Sequence, residues 1–336
     1  MSSRRRIFPI FIPHLGCPQQ CVFCDQRQIT GAVGPVRGAD VQSELSRLPN
    51  DGGYELAYYG GSFTAIPAQL QEELLRAALP ARERNAVSAI RISTRPDAVD
   101  ETVLFRLKEF GVETIELGAQ SMDDSVLRVS RRGHTAEDTC AAAMKVKSSG
   151  FSLILQMMTG LPGSDEETDV ETARKLISLR PDGVRIYPSV ILRGTELERL
   201  WKEGAYREHT VEDAVRVCAR ILPLFEASGI PVIRLGLNPT DELSRGEAVG
   251  GAYHPALGEL VRSRILRNRA EEILSFSTPG EEAVLGVSPK LLSQMIGQHR
   301  ENMDRLREEF SLASLRVSAA DVPGGTVVLL RSGREE

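Results

Sequence analysis

Cys17, Cys21 and Cys24 are three of the chain's five cysteines, and they crowd into the single stretch HLGCPQQCVFCDQ. Thiolates on one tight loop can converge on a single soft metal centre, because sulfur ligands select zinc, copper(I) or iron–sulfur clusters. A structural zinc site asks for four ligands, and His14 is the nearby candidate for a Cys3His set. A four-iron cluster used only for electron transfer asks for four cysteines. Cys140 and Cys218 fall inside predicted helices, in EDTCAAAM and VRVCARI, where they read as packing residues. That leaves a site with three protein ligands and one open position, which is what a catalytic metal centre keeps for substrate or cofactor.

The elements that must position this loop alternate along the chain. Buried-strand patterns lie at 7–13, 54–61, 88–94, 113–120, 151–160, 183–191 and 230–236, with amphipathic helices between them. Short apolar runs separated by helices are the pattern of a parallel sheet built from βαβ units, either a full or partial barrel or a doubly wound sheet. In both architectures the active site collects at the C-terminal ends of the strands. The cysteine loop follows the first strand, the Gly60-Gly61 pair follows the second, and the other unusual clusters also follow strands. Past residue 240 the pattern changes to two long amphipathic helices, 254–274 and 288–310, and two short strands, 314–319 and 325–331, split by Pro323-Gly324-Gly325 and readable as a hairpin. The expected domains are therefore 1–236 and a small α/β subdomain, 237–336.

The chain has 336 residues, 41% hydrophobic and 26% charged, with a net charge of −5. These values fit an ordinary globular enzyme and give no global basicity that would advertise nucleic acid. Basic residues do cluster locally, at Arg4–Arg6 and at Arg262, Arg264, Arg267 and Arg269 on one predicted helix. Such a run reads as a solvated face or as a contact for phosphates. No apolar run approaches the length of a membrane span, and the N-terminus lacks a secretory cleavage pattern. An odd, uneven set of cysteines is not a disulfide framework, so a cytoplasmic location is expected.

Cys17-x3-Cys21-x2-Cys24, with aromatic Phe23 before the last cysteine, resembles the signature of the radical S-adenosylmethionine (SAM) superfamily. The resemblance implies a partial (β/α)6 TIM-like barrel with a small C-terminal α/β subdomain. It further implies that the three cysteines hold a [4Fe–4S] cluster whose fourth iron is chelated by SAM, so three thiols rather than four are required. YYGGSFTAIP resembles the family's glycine motif, which implies that Gly60, Gly61 and Ser62 meet the amino group of SAM. STRPD, GAQSMDDSVLRVSRRGHT and LQMMTGLPG resemble the branch that contains the coproporphyrinogen dehydrogenases and the Elongator catalytic subunit. That match places Thr94 and Gln156 at ribose contacts, and Gln120 and Arg132 at further SAM contacts, with Arg132 facing the SAM carboxylate. Gln156 stands where some relatives have an acid, and an amide can still bond a hydroxyl. VRIYPSVILRGTELERLW resembles the Elongator subunit after its sixth strand, which implies that backbone near Tyr187 and Pro188 meets adenine.

The likeness to the Elongator branch covers roughly residues 7–235, and it has two departures. The Elongator subunit has a longer gap between its first two cluster cysteines, and it carries an acetyltransferase domain, for which the residues after 236 are too few. The resemblance thus implies a radical SAM enzyme without an acetyl-CoA domain. It would reductively cleave SAM to a 5′-deoxyadenosyl radical, fed by an electron donor of flavodoxin or ferredoxin type, with tRNA modification as the expected use. The catalytic residues toward substrate are unassigned, and His134, Tyr253 and His254 are candidates to face it. A small-molecule or tetrapyrrole substrate is the alternative within the class. An RNA-binding module holding structural zinc or an iron–sulfur cluster is the alternative outside it.

Overall fold

Strand β1 (Arg6–Phe11) pairs in parallel with β2 (Tyr54–Tyr59), and the pairing continues through β3 (Val87–Thr94), β4 (Val112–Gln120), β5 (Ser152–Thr159) and β6 (Gly183–Pro188). A short β7 (Val190–Leu192) leaves this sheet, and β8 (Val232–Leu235) completes it beside β6. The seven-stranded order β1-β2-β3-β4-β5-β6-β8 is entirely parallel, a curled half-barrel whose two ends are β1 and β8. This is the expected partial TIM-like barrel. The computed structural model describes residues 5–17, 21–25, 36–237 and 246–333.

Helices fill the connections, and side chains fix their starts. Asp100, Thr135, Asp165 and Thr195 each accept a backbone N–H in the first turn of the helix that follows, satisfying one otherwise orphaned donor. One strand face packs under these helices through Leu56, Ile90, Ile92, Ile115, Leu117, Leu153, Leu155, Val184 and Ile186, all fully buried. Alternate residues point the other way, as the period of two requires. On that inner face stand Glu55, Tyr59, Arg91, Glu116, Gln156 and Arg185, polar residues set within apolar strands.

They form one network around Glu116, which is wholly buried. Its carboxylate accepts from Arg91 Nη1 at 2.7 Å, Arg185 Nε at 2.9 Å, the Tyr59 hydroxyl at 2.8 Å and Gln156 Nε2 at 2.8 Å. Arg91 also donates to both oxygens of Glu55, at 3.0 and 2.9 Å. Two acids and two arginines thus neutralise one another across five adjacent strands. A buried ion network holds only when every charge has a partner.

By its contacts the chain divides into two compact units, Met1–Thr210 with Leu222–Tyr253 and Val211–Ile221 with His254–Glu336. In the first unit β7 pairs antiparallel with β9 (Ala248–Gly251), so the expected strand 183–191 is broken at Ser189. Ser189 N–H bonds the Thr159 carbonyl at the sheet's end, and the chain then turns out to meet β9. The second unit has a three-stranded sheet in the order β11 (Ser314–Ala319), β10 (Glu282–Val287), β12 (Val327–Gly333). The two strands read as a hairpin therefore do not pair with each other. They flank β10, one parallel and one antiparallel, and the Pro-Gly-Gly turn carries the chain past it. The expected helix 288–310 is broken at Gly297, His299 and Arg300, which all have positive φ, leaving Leu292–Ile296 and Glu301–Glu309. Leu266, Leu285, Met295, Met303 and Leu306 form that unit's core. Among the described residues no helix is long and apolar enough to cross a membrane.

Removing the Glu116 carboxylate leaves two arginines short of a counter-charge. Glu116→Ala is expected to lower stability by about 3–5 kcal/mol in urea unfolding. Burial pushes the pKa of Glu116 up, but Arg185 and Arg91 outweigh it and hold its carboxyl below the usual range. The unfolded state therefore takes up this proton first as pH falls. The contribution is complete above the ordinary glutamate range and is lost below it.

Candidate active site

The cysteine loop leaves β1 and folds straight back onto the turn after β2. Ile12 N–H bonds Tyr59 O at 2.7 Å, His14 N–H bonds Gly60 O at 2.9 Å, and Ser62 N–H bonds Leu15 O at 2.8 Å. The two backbones approach so closely that a Cβ on Gly61 would lie 2.5 Å from both Ile12 O and Leu15 O. Gly16, at φ +72°, meets the same turn from the other side. The glycine pair therefore seats the cysteine loop. The loop's far end is held by Val22, which bonds Ser130 O at 3.2 Å through its N–H and accepts from Leu197 N–H at 2.7 Å. Phe23 packs against Val126, Met158, Leu161 and Tyr187 on one side and Ile191, Leu197 and Tyr206 on the other. His14, the fourth-ligand candidate, lies 3.8 Å from Asp25.

The electrostatics of the loop are set by two buried arginines. Arg132 donates from Nη1 to Cys21 Sγ at 3.2 Å and from Nη2 to Gly118 O at 2.6 Å. Arg95 is held by both oxygens of Asp97, at 2.9 and 2.8 Å. Burial and the neighbouring Cys21 push the Cys17 thiol up, against the pull of Arg132 and Arg95 and a backbone hydrogen bond from Ser62. A soft cation relieves this, because it stabilises every thiolate coordinated to it. Among the described residues no three Cys, His, Asp or Glu side chains meet closely enough to form a metal site. The structure thus puts the three thiols on one loop without bringing them to a point.

Opposite the loop, the end of β4 forms a shelf. Gln120 adopts a left-handed backbone at φ 65°, a conformation that costs about 1–2 kcal/mol outside glycine. Its Oε1 and the Nε of Arg132 are buried without a hydrogen-bond partner in the protein. Gly118 keeps the inner face open, since a Cβ there would come within 3.0 Å of Gln120 Nε2 and 3.3 Å of Arg132 Nη2. The donor set therefore fits the implied group. Three thiols, an arginine bonded to one sulfur and two unsatisfied buried atoms suit an anionic sulfur cluster and a polar ligand.

Other expected contacts are spoken for within the protein. Ser62 and Thr94 share a hydrogen bond of 2.9 Å, and Thr94 also meets Thr64. The Gln156 amide donates to Glu116. Tyr187 lies between the Phe23 cluster and Arg185, where burial raises its hydroxyl pKa, and Pro188 pairs in register with Thr159 at the strand's end. His134 is buried, with Nε2 against the Ala119 carbonyl at 3.1 Å and Nδ1 without a partner. Burial and Arg132 hold its pKa down to about 4, so it is neutral at ordinary pH. Tyr253 packs with Val190 and Leu192, and His254 Nδ1 accepts from Ala256 N–H at the start of a helix. In the basic helix Arg264 pairs with Glu212, buried Arg267 with Glu271, and Arg269 donates to the Gly325 carbonyl, while Arg262 is exposed. Cys218 is fully buried, as read, and Cys140 is half-buried.

The sequence reading missed Arg95 and the Glu55–Arg91–Glu116–Arg185 network. The network's signal was present as ionisable residues inside otherwise apolar strand runs, in YELAYYGG, SAIRIST, ETIELGAQ and GVRIYP, while Arg95 follows its strand in STRPD.

Residues 11–176 match the Radical SAM superfamily model and residues 181–267 the Radical_SAM C-terminal domain model. The chain is 28% identical over 285 residues to Elongator complex protein 3 of Mus musculus, covering 69% of this chain and 52% of that protein. It is 29% identical over 250 residues to the tRNA uridine(34) acetyltransferase of Methanocaldococcus jannaschii, covering 60% and 45%. The chain thus spans about half the length of the curated relatives it matches. The structure of Methanocaldococcus infernus Elp3 with an N-terminal deletion superposes with a TM-score of 0.61 at 23% identity, over 79% of this chain and 64% of that one. This shared architecture is the half-barrel.

Two outcomes follow from the site's geometry. Gly61→Ala is expected to displace the cysteine loop and cost about 1–3 kcal/mol in thermal unfolding. Gly258→Ala, in a helix where a Cβ meets nothing, is the control expected to be neutral or mildly stabilising. His134 stays neutral down to about 4 while its unfolded form protonates near its ordinary value, so stability should fall as pH drops through that window. His134→Gln is expected to flatten that slope in pH-dependent unfolding, and an unchanged slope would refute the assignment.

Proposed function

We propose that this chain, which belongs to the radical SAM superfamily, holds its [4Fe–4S] cluster through Cys17, Cys21 and Cys24 and modifies a uridine in tRNA. The single observation that carries the reading is the cysteine loop itself, seated on Gly61 and bonded at Cys21 by a buried arginine. Bound together, the cluster and SAM supply one-electron cleavage of SAM and a radical that takes hydrogen from substrate.

The chain's residues position and shield. Phe23 fills the space between two apolar clusters and keeps water from the loop. Arg132, through N–H groups not used by Cys21 and Gly118, is the partner for the SAM carboxylate, and bidentate geometry suits that pairing. Gln120 offers its unsatisfied oxygen to the same ligand. Gly60, Gly61 and Ser62 line the amino end. Thr94 and Gln156 serve the ribose, and the strand end at Tyr187 and Pro188 serves the adenine. Because Glu116 takes the amide N–H of Gln156, the carbonyl oxygen of Gln156 is the atom turned to a ribose hydroxyl.

The choice of tRNA rests on a relative whose name states that substrate, matched over 60% of this chain. Of the four arginines on the basic helix, Arg262 is the exposed one, and it is the residue we assign to phosphate contact. A one-electron donor of flavodoxin or ferredoxin type and a cytoplasmic location complete the proposal.

The test is anaerobic. Reconstituted, dithionite-reduced protein with SAM is expected to yield 5′-deoxyadenosine, faster with bulk tRNA present, and Cys21→Ala should lose both iron and product. Product formation indifferent to tRNA would overturn the substrate and point to a small molecule. Zinc in place of iron, with no product, would overturn the enzyme class.

A further inference from the structure

We propose that Arg132 sets the reduction potential of the cluster through its bond to the Cys21 sulfur, an inference that rests on the cysteine assignment above. The observation is a buried positive charge without a negative partner. Arg95 has Asp97, Arg91 has Glu55 and Glu116, Arg185 has Glu116, and Arg267 has Glu271. Arg132 is as buried as these, yet among the described residues no carboxylate pairs with it. Its contacts are a sulfur at 3.2 Å and a peptide carbonyl at 2.6 Å, and its Nε is unsatisfied.

A guanidinium buried in this way requires an anion, and the Cys21 sulfur it touches supplies one as a cluster ligand. The contact does not depend on a long side chain finding its target. Arg132 N–H bonds Leu127 O at 2.9 Å, and two residues earlier Ser130 O accepts from Val22 N–H, next to Cys21. The two backbones are therefore stitched where the side chains meet, and Gly118 O fixes the other arm of the fork.

Reduction adds one electron from the donor to the cluster, which passes from [4Fe–4S]2+ to [4Fe–4S]1+ and becomes more negative. An N–H donor on a ligand sulfur and an uncompensated positive charge both favour the more negative state. Little solvent is present to screen either one. Arg132 therefore makes the cluster easier to reduce, before SAM is present and independently of any contact with SAM. Arg95 contributes less, because Asp97 cancels its charge.

The test is a potentiometric titration of the reconstituted full chain without SAM, followed by the EPR signal of the reduced cluster, with iron and sulfide measured on each sample. Arg132→Met is expected to shift the reduction equilibrium at least tenfold toward the oxidised form, about 59 mV lower. Arg132→Lys, which keeps charge but not the fork, should fall between it and the parent. Gly118→Ala supplies a second approach if Arg132→Met fails to assemble its cluster. Its Cβ would sit 3.0 Å from Gln120 Nε2 and 3.3 Å from Arg132 Nη2, so the guanidinium yields only slightly with its charge retained, and the potential should fall by less than in Arg132→Met. A fully loaded Arg132→Met or Arg132→Lys protein with the parent's potential would overturn the proposal. Absence of iron from the parent chain would instead overturn the cysteine assignment beneath it.

Discussion

A charge placed inside a protein must find its opposite, and this requirement organises the interior of the half-barrel. Taking an arginine or a carboxylate out of water costs several kcal/mol unless another group answers it. On the inner face of β2 to β6 the answer is internal. Glu116 receives two arginines, a tyrosine and a glutamine, and Glu55 takes the remaining arm of Arg91. This patch is closed, neutral and bonded across the sheet, so it serves as a fixed floor.

At the strand ends the balance is left open. Arg132 answers a cysteine sulfur in place of a carboxylate, and Gln120 keeps a buried oxygen with nothing to accept from. His14 and Gln120 both hold left-handed backbone in this region. Local strain and unsatisfied polar atoms persist only where the surroundings over-determine them, and beside the cysteine loop the two occur together. The contrast between a satisfied floor and an unsatisfied rim locates the site more sharply than any single residue does.

The sequence carried the barrel and the loop in plain view. Strand bounds for β1 to β6 agree with the structure to within a few residues. The cysteine spacing carried the resemblance to the radical SAM signature. Less legible was anything decided by contacts between distant strands. Arg91, Glu116 and Arg185 look like isolated faults in apolar runs until the register brings them together. Gly60-Gly61 read as a ligand-facing turn, while Gly61 is required by the passage of another backbone. In the second unit β10 lies between two strands that a Pro-Gly-Gly turn had suggested were partners, and local turn chemistry carries no information about an inserted strand. Arg264 and Arg267 read as surface charge and proved to be paired within their own unit.

In the proposed site, three thiolates from one loop leave one iron of the cluster for SAM. Mössbauer spectroscopy of 57Fe-reconstituted protein, recorded with and without SAM, tests this arrangement most directly. The expected result is a single iron site whose isomer shift rises when SAM is added, while the others hold their values. A cluster whose irons are all indifferent to SAM would mean that the protein supplies a fourth ligand, and the open coordination position would not exist.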